Sequence, residues 1–71
     1  MIFRQAKDLQ AEDVVRLRHS RYPQADFIVK SIEPDIFNGK PVLRAVLKQV
    51  NLDFGPTEFF MWNDYIEIVL S

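Results

Sequence analysis

The side chains able to do chemistry in this chain are few and scattered. His19 is the only histidine, and it sits in the loop-forming stretch Arg18-His19-Ser20-Arg21-Tyr22-Pro23-Gln24, with Asp13 and Asp26 as its nearest carboxylates in sequence. A metal centre needs several converging ligands, and an activated serine needs a base that is itself oriented by a third group. Neither pattern surrounds position 19, so His19 reads as a solvent-facing loop residue. Ser20, Ser31 and Ser71 lack the elbow and triad context of a hydrolase nucleophile. Asp8, Glu12 and Asp13 are hard-cation ligands by type, but the regular spacing of a calcium loop is missing. Glu33 with Asp35 could pair for acid–base work, yet Arg44 falls near Glu33 in a hairpin register and offers it a cross-strand partner instead. With Gly39 and Gly55 as its only glycines, the chain cannot build a glycine-rich phosphate cradle. The sequence therefore assigns no catalytic residue, no metal and no cofactor.

What it does offer is groups for recognition. Arg16, Arg18 and Arg21 occur with no acidic residue between Val14 and Ala25, the only locally basic patch. Phe54, Phe59, Phe60, Trp62 and Tyr65 make the C-terminal third strongly aromatic, and so small a domain cannot hide every ring. Combining Arg18, Arg21 and Tyr22 with Trp62 or Phe54 gives the sharpest expectation: a cationic and aromatic cleft between the first loop and the loop after Val50. Such a cleft suits an acidic protein surface, a nucleotide phosphate or a stacked single strand. Nine Lys plus Arg against ten Asp plus Glu leave a net charge of −1, which favours the protein surface. The expected partner-binding residues are Arg18, Arg21, Tyr22, Phe37, Phe54 and Trp62. The expected function is that of a non-enzymatic protein–protein interaction module that also self-associates. The alternative is a nucleic-acid or nucleotide binder using the basic loop Arg16 to Tyr22.

These groups must be positioned by short strands. The longest block of β-branched and aromatic sequence runs from Phe27 to Val50 and folds about Asn38-Gly39, two residues that tolerate positive φ. A two-residue turn there pairs Ile36 with Pro41 and Pro34 with Leu43, putting two prolines without amide donors into the ladder. The reading taken is therefore two strands, Phe27 to Glu33 and Val42 to Val50, joined by a projecting loop from Pro34 to Pro41 with Ile36 and Phe37 near its tip. Met1 to Gln5 reads as a first strand. Val14 to Leu17 reads as a second, entered from a turn at Ala11-Glu12-Asp13, with a helix from Asp8 as the competing assignment. Gly55-Pro56 breaks the chain again, and Thr57 to Trp62 is a strand or a helical turn. If a strand, it sets Phe60 and Trp62 on one face and Phe59 and Met61 on the other. Tyr65 to Leu70 alternates as a terminal strand, with Glu67 on the face opposite Ile66 and Ile68.

With 71 residues, 48% hydrophobic, the chain can build one core in one domain, and a dimer would be a natural supplement to its stability. The absence of cysteine excludes disulfides and thiolate metal sites. Met1-Ile2-Phe3-Arg4-Gln5 lacks the apolar core of a signal peptide, and no run approaches the roughly 20 apolar residues of a membrane helix. A cytoplasmic protein without a membrane partner is expected.

Five or six short antiparallel strands divided by turn signals suggest an all-β, partly open barrel, with at most one short helical turn. In Lys7-Asp8-Leu9 followed by Asp13-Val14-Val15, in Phe27-Ile28-Val29 with Ser31-Ile32-Glu33, and in the aromatic stretch before Tyr65 to Leu70, the chain resembles the Src-homology-3-like small barrels of bacterial and phage proteins. The resemblance implies a small accessory protein that binds between its loops. Similar barrels place Gly before the aspartate that enters the second strand, where this chain has Glu12, and the dense acidic loop of proline-rich-peptide binders is missing.

Overall fold

Asn38 and Gly39 take φ angles of 51° and 75°, the positive values that let a two-residue turn match the twist of its flanking strands. The computed structural model describes residues 2–17 and 25–69. Its strands are β1 (Ile2–Gln5), β2 (Val14–Arg16), β3 (Asp26–Phe37), β4 (Lys40–Gln49), β5 (Thr57–Phe60) and β6 (Tyr65–Ile68), with a 3-10 turn at Ala6–Asp8. They form one antiparallel sheet in the order β1-β6-β2-β3-β4-β5, so β1 and β5 are its edges. The strand assignment at Val14 holds, as does the one at Thr57, and the helical alternatives for both segments fall.

The hairpin corrects the expected loop. Ile36 stands opposite Pro41 and Pro34 opposite Leu43, so both prolines lie within the ladder. Parity resolves the conflict. In a two-residue hairpin the pair beside the turn exchanges both hydrogen bonds and the pairs then alternate. Phe37 with Lys40, Asp35 with Val42 and Glu33 with Arg44 are thus the bonded pairs, and both prolines fall in the non-bonded sites between them. Their ring nitrogens point away from the β3–β4 ladder. On those outer sides β2 has ended at Ile28 and β5 at Leu43, so no donor is missed. The projection itself survives, as a paired ribbon beyond Leu43. Gly39→Ala probes this turn: the added Cβ meets nothing within 4 Å, but the positive φ strains it. The expected cost is about 1–2 kcal/mol, read as a lower urea midpoint at unchanged slope.

Among the described residues no α-helix covers the sheet, and the buried side chains gather on one face of it. The inner face carries Val15, Phe27, Val29, Leu43, Ala45, Leu47, Phe60, Ile66 and Ile68, closed at one end by Ala6 and Leu9. A bulge between Val29 and Ser31 inserts Lys30 into β3. Without it the parity of β3 would carry on unbroken and Ile32 would turn outward. With it, Ile32 lies opposite Ala45 and packs against the core. The turn before β2 docks beside this bulge, where the Glu12 amide donates to the Val29 carbonyl at 2.7 Å. Glu12 takes a φ of 75°, the conformation that glycine adopts without strain. The tight turn therefore forms with Glu at this position. Among the described residues no helix is long and apolar enough to cross a membrane.

Candidate functional site

Alternation along β4 and β5 puts Phe59 opposite Arg44 on the outer face, away from the core, with Val42 one step along the same face. Phe37, at the end of β3, shares that face. Its ring stacks on Phe59 with centroids 4.9 Å apart and an interplanar angle of 21°, a contact worth about 0.5–1.5 kcal/mol beyond its area. Val42 lies on β4 between the two strands that supply the rings, and it is 4% exposed although it is no part of the inner core. Phe37 and Phe59 themselves remain 49% and 42% exposed, and Met61 continues the apolar surface past the end of β5.

Beside this patch the outer face is charged and neutralised. Arg44 donates from Nη2 to Glu33 Oε2 at 2.9 Å and from Nη1 to Asp35 Oδ2 at 3.1 Å. The two carboxylates with acid–base spacing thus grip one guanidinium across the hairpin. A second row crosses β3, β2 and β6: Arg16 Nε donates to Asp26 Oδ1 at 3.0 Å, and its Nη1 lies 3.6 Å from Glu67 Oε2. Glu67 points away from Ile66 and Ile68 as its alternation requires, yet it is only 8% exposed. Arg4 donates to Asp13 at 3.0 Å, and Lys30 lies 3.6 Å from Glu12. Each described arginine is paired with carboxylate. Among the described residues no three His, Cys, Asp or Glu side chains converge as metal ligands.

Of the expected binding residues, Arg18, Arg21 and Tyr22 lie outside the described residues. Phe37 is exposed, held by its stack rather than by a loop. Phe54 is 70% exposed before β5, and its carbonyl accepts from the Gln49 amide at 3.1 Å. Trp62 is 39% exposed after β5, and its carbonyl accepts from the Lys7 amide at 3.1 Å. Phe54 and Trp62 thus stand at opposite ends of β5 and do not share one site. Phe59 is the member that sequence reasoning left out; its alternation with buried Phe60 was the available signal. A cavity of about 320 Å³ opens on the inner side of β5, with Leu17, Phe60 and Ile66 as apolar floor and Arg16, Glu58, Asp64 and Tyr65 around it. Its Arg16 is already engaged by Asp26 and Glu67, so the outer-face patch is the more available surface. Comparison of the chain with protein-family models, with curated proteins and with solved structures found no match.

Proposed function

We propose that the protein is a non-enzymatic protein–protein interaction module, an accessory or regulatory protein built as an SH3-like, partly open small barrel. The observation that carries this reading is the stacked pair Phe37–Phe59 on the outward face. Aromatic rings held rigidly and left half open lose little entropy on binding and are favoured interface anchors. The single antiparallel sheet of six short strands, with its buried side chains gathered on one face, supports the barrel part of the proposal. The competing nucleic-acid reading relies on free cations, and Arg16, its first member, is engaged by Asp26 and Glu67.

A photo-crosslinking benzoylphenylalanine in place of Phe37 tests the reading in the cells that naturally express the chain. Irradiation is expected to yield polypeptide adducts of defined mass, weakened when Phe59 is also changed to alanine. Adducts sensitive to nuclease, or none at all, would count against it.

A further inference from the structure

We infer that the open edge of β5 pairs antiparallel with β5 of a second copy of this chain, in a register centred on Thr57. The inference rests on the interaction-module reading and names the partner. Its starting point is which way the backbone of β5 faces. The Pro56 carbonyl accepts from the Leu47 amide at 3.0 Å, and the Phe54 carbonyl accepts from Gln49. Even-numbered residues of this segment therefore spend their backbone groups on β4, and alternation turns the N–H and C=O of Thr57 and Phe59 outward. Proteins protect such edges with lysine, with an outward proline, or with a bulge. β5 has none of these on its open side: Pro56 places its missing donor against β4, and the strand's one charge, Glu58, sits on the inner face beside Ala45.

The register follows from what each alternative opposes. Centring on Glu58 sets two carboxylates face to face. Centring on Phe59 brings Thr57 against Met61, whose amide already donates to Asp64 Oδ2 at 2.9 Å and whose carbonyl accepts from the Asp64 amide at 3.1 Å. Centring on Thr57 avoids both conflicts. Thr57 then exchanges bonds with its equivalent, Glu58 faces Pro56 of the second copy, and Phe59 faces Gly55, which has no side chain to meet the ring. The contact is two-fold and self-complementary. Each copy's Phe37–Phe59 stack lies on the same side of the seam, so apolar surface continues across it. A net charge of −1 adds almost no repulsion between copies. Four residues per strand bury less than the roughly 800 Å² per partner of a standard interface, so the dimer is a weak one.

Sedimentation equilibrium of the purified chain from about 10 μM to about 1 mM, the range that brackets a weak dimer, tests this. The mass is expected to rise from 8.4 kDa towards twice that value. Thr57→Pro removes only an outward donor at the first strand position, where proline is tolerated. Thr57→Lys adds the charge that edges normally carry and leaves the Phe37–Phe59 stack in place. Both variants should keep the unaltered circular dichroism spectrum and weaken dimerisation about tenfold or more. On the unaltered protein, amide exchange at Thr57 and Phe59 should slow with concentration while that at Met61 does not. A constant 8.4 kDa throughout, or a dimer indifferent to both variants, overturns the inference. A monomer that still forms polypeptide adducts at position 37 overturns it alone and leaves the interaction-module reading standing.

Discussion

Phe27→Ala is expected to remove a large share of the protein's stability at 25 °C. Phe27 is 1% exposed and the largest of the fully buried side chains. It stands opposite Val15 on one side and Gln49 on the other, at the centre of the strand order, so its ring meets the inner face from both halves of the sheet. Truncating a buried phenylalanine costs about 3–5 kcal/mol, through the lost transfer energy and the cavity left behind. A domain of 71 residues has roughly 4–11 kcal/mol in all, at ~0.05–0.15 kcal/mol per residue. The loss is therefore a large fraction of the whole. Phe59→Ala makes the useful contrast, since it removes a half-exposed ring from a surface stack and should cost about 1.5–2.5 kcal/mol, the stack together with the area it half buries. Urea titrations followed by circular dichroism separate the two. Equal midpoints for both variants would mean that the core is not organised around Phe27.

That contrast marks what was legible in the sequence. Local signals read well: Asn38-Gly39 marks the reversal, Val14 and Thr57 open strands, and Glu67 alternates against Ile66 and Ile68. Each of these depends on neighbours within a few residues. The misreading of Pro34 and Pro41 came from treating proline as incompatible with any ladder position, when alternate positions of an antiparallel pair ask nothing of their amides. Whether a proline falls on a bonded or a non-bonded site depends on the register, which the turn fixes. The bulge at Lys30 has no local signature either; its reason is that Ile32 must reach the same face as Val29. Long-range pairs were the least legible. Phe37 meets Phe59 only because β4 lies between β3 and β5, and Arg16 reaches Glu67 only because β6 inserts between β1 and β2. Topology of this kind is decided by closure of the whole core, not by any short stretch.

Gly55→Ala should be the most damaging change outside the core, because the space it needs is occupied by main chain. A Cβ at position 55 would lie 2.6 Å from the Leu47 carbonyl oxygen, 2.9 Å from Lys48 Cα and 3.0 Å from the Gln49 nitrogen. All three belong to β4, which is paired with β3 along nearly its whole length and cannot retreat. The segment before β5 must move instead. Moving it breaks the bonds from Leu47 to Pro56 and from Gln49 to Phe54, at about 0.5–1.5 kcal/mol each. Residual crowding adds about 1–3 kcal/mol, so the total comes to roughly 2–6 kcal/mol. The readout is residue-specific: amide exchange at Leu47 and Gln49 should accelerate well before that at Val29, whose amide donates to Asp13 on the β2 side of β3, away from β5. The same change should abolish self-association, because Thr57 and Phe59 are aimed outward only while Phe54 and Pro56 are tied to β4. Thr57→Pro is expected to lose the dimer with Leu47 and Gln49 still protected, whereas Gly55→Ala loses both together. A Gly55→Ala protein with normal protection at Leu47 and Gln49 would show that the chain before β5 does not run against β4, and the outward aim of Thr57 and Phe59 would fall with it.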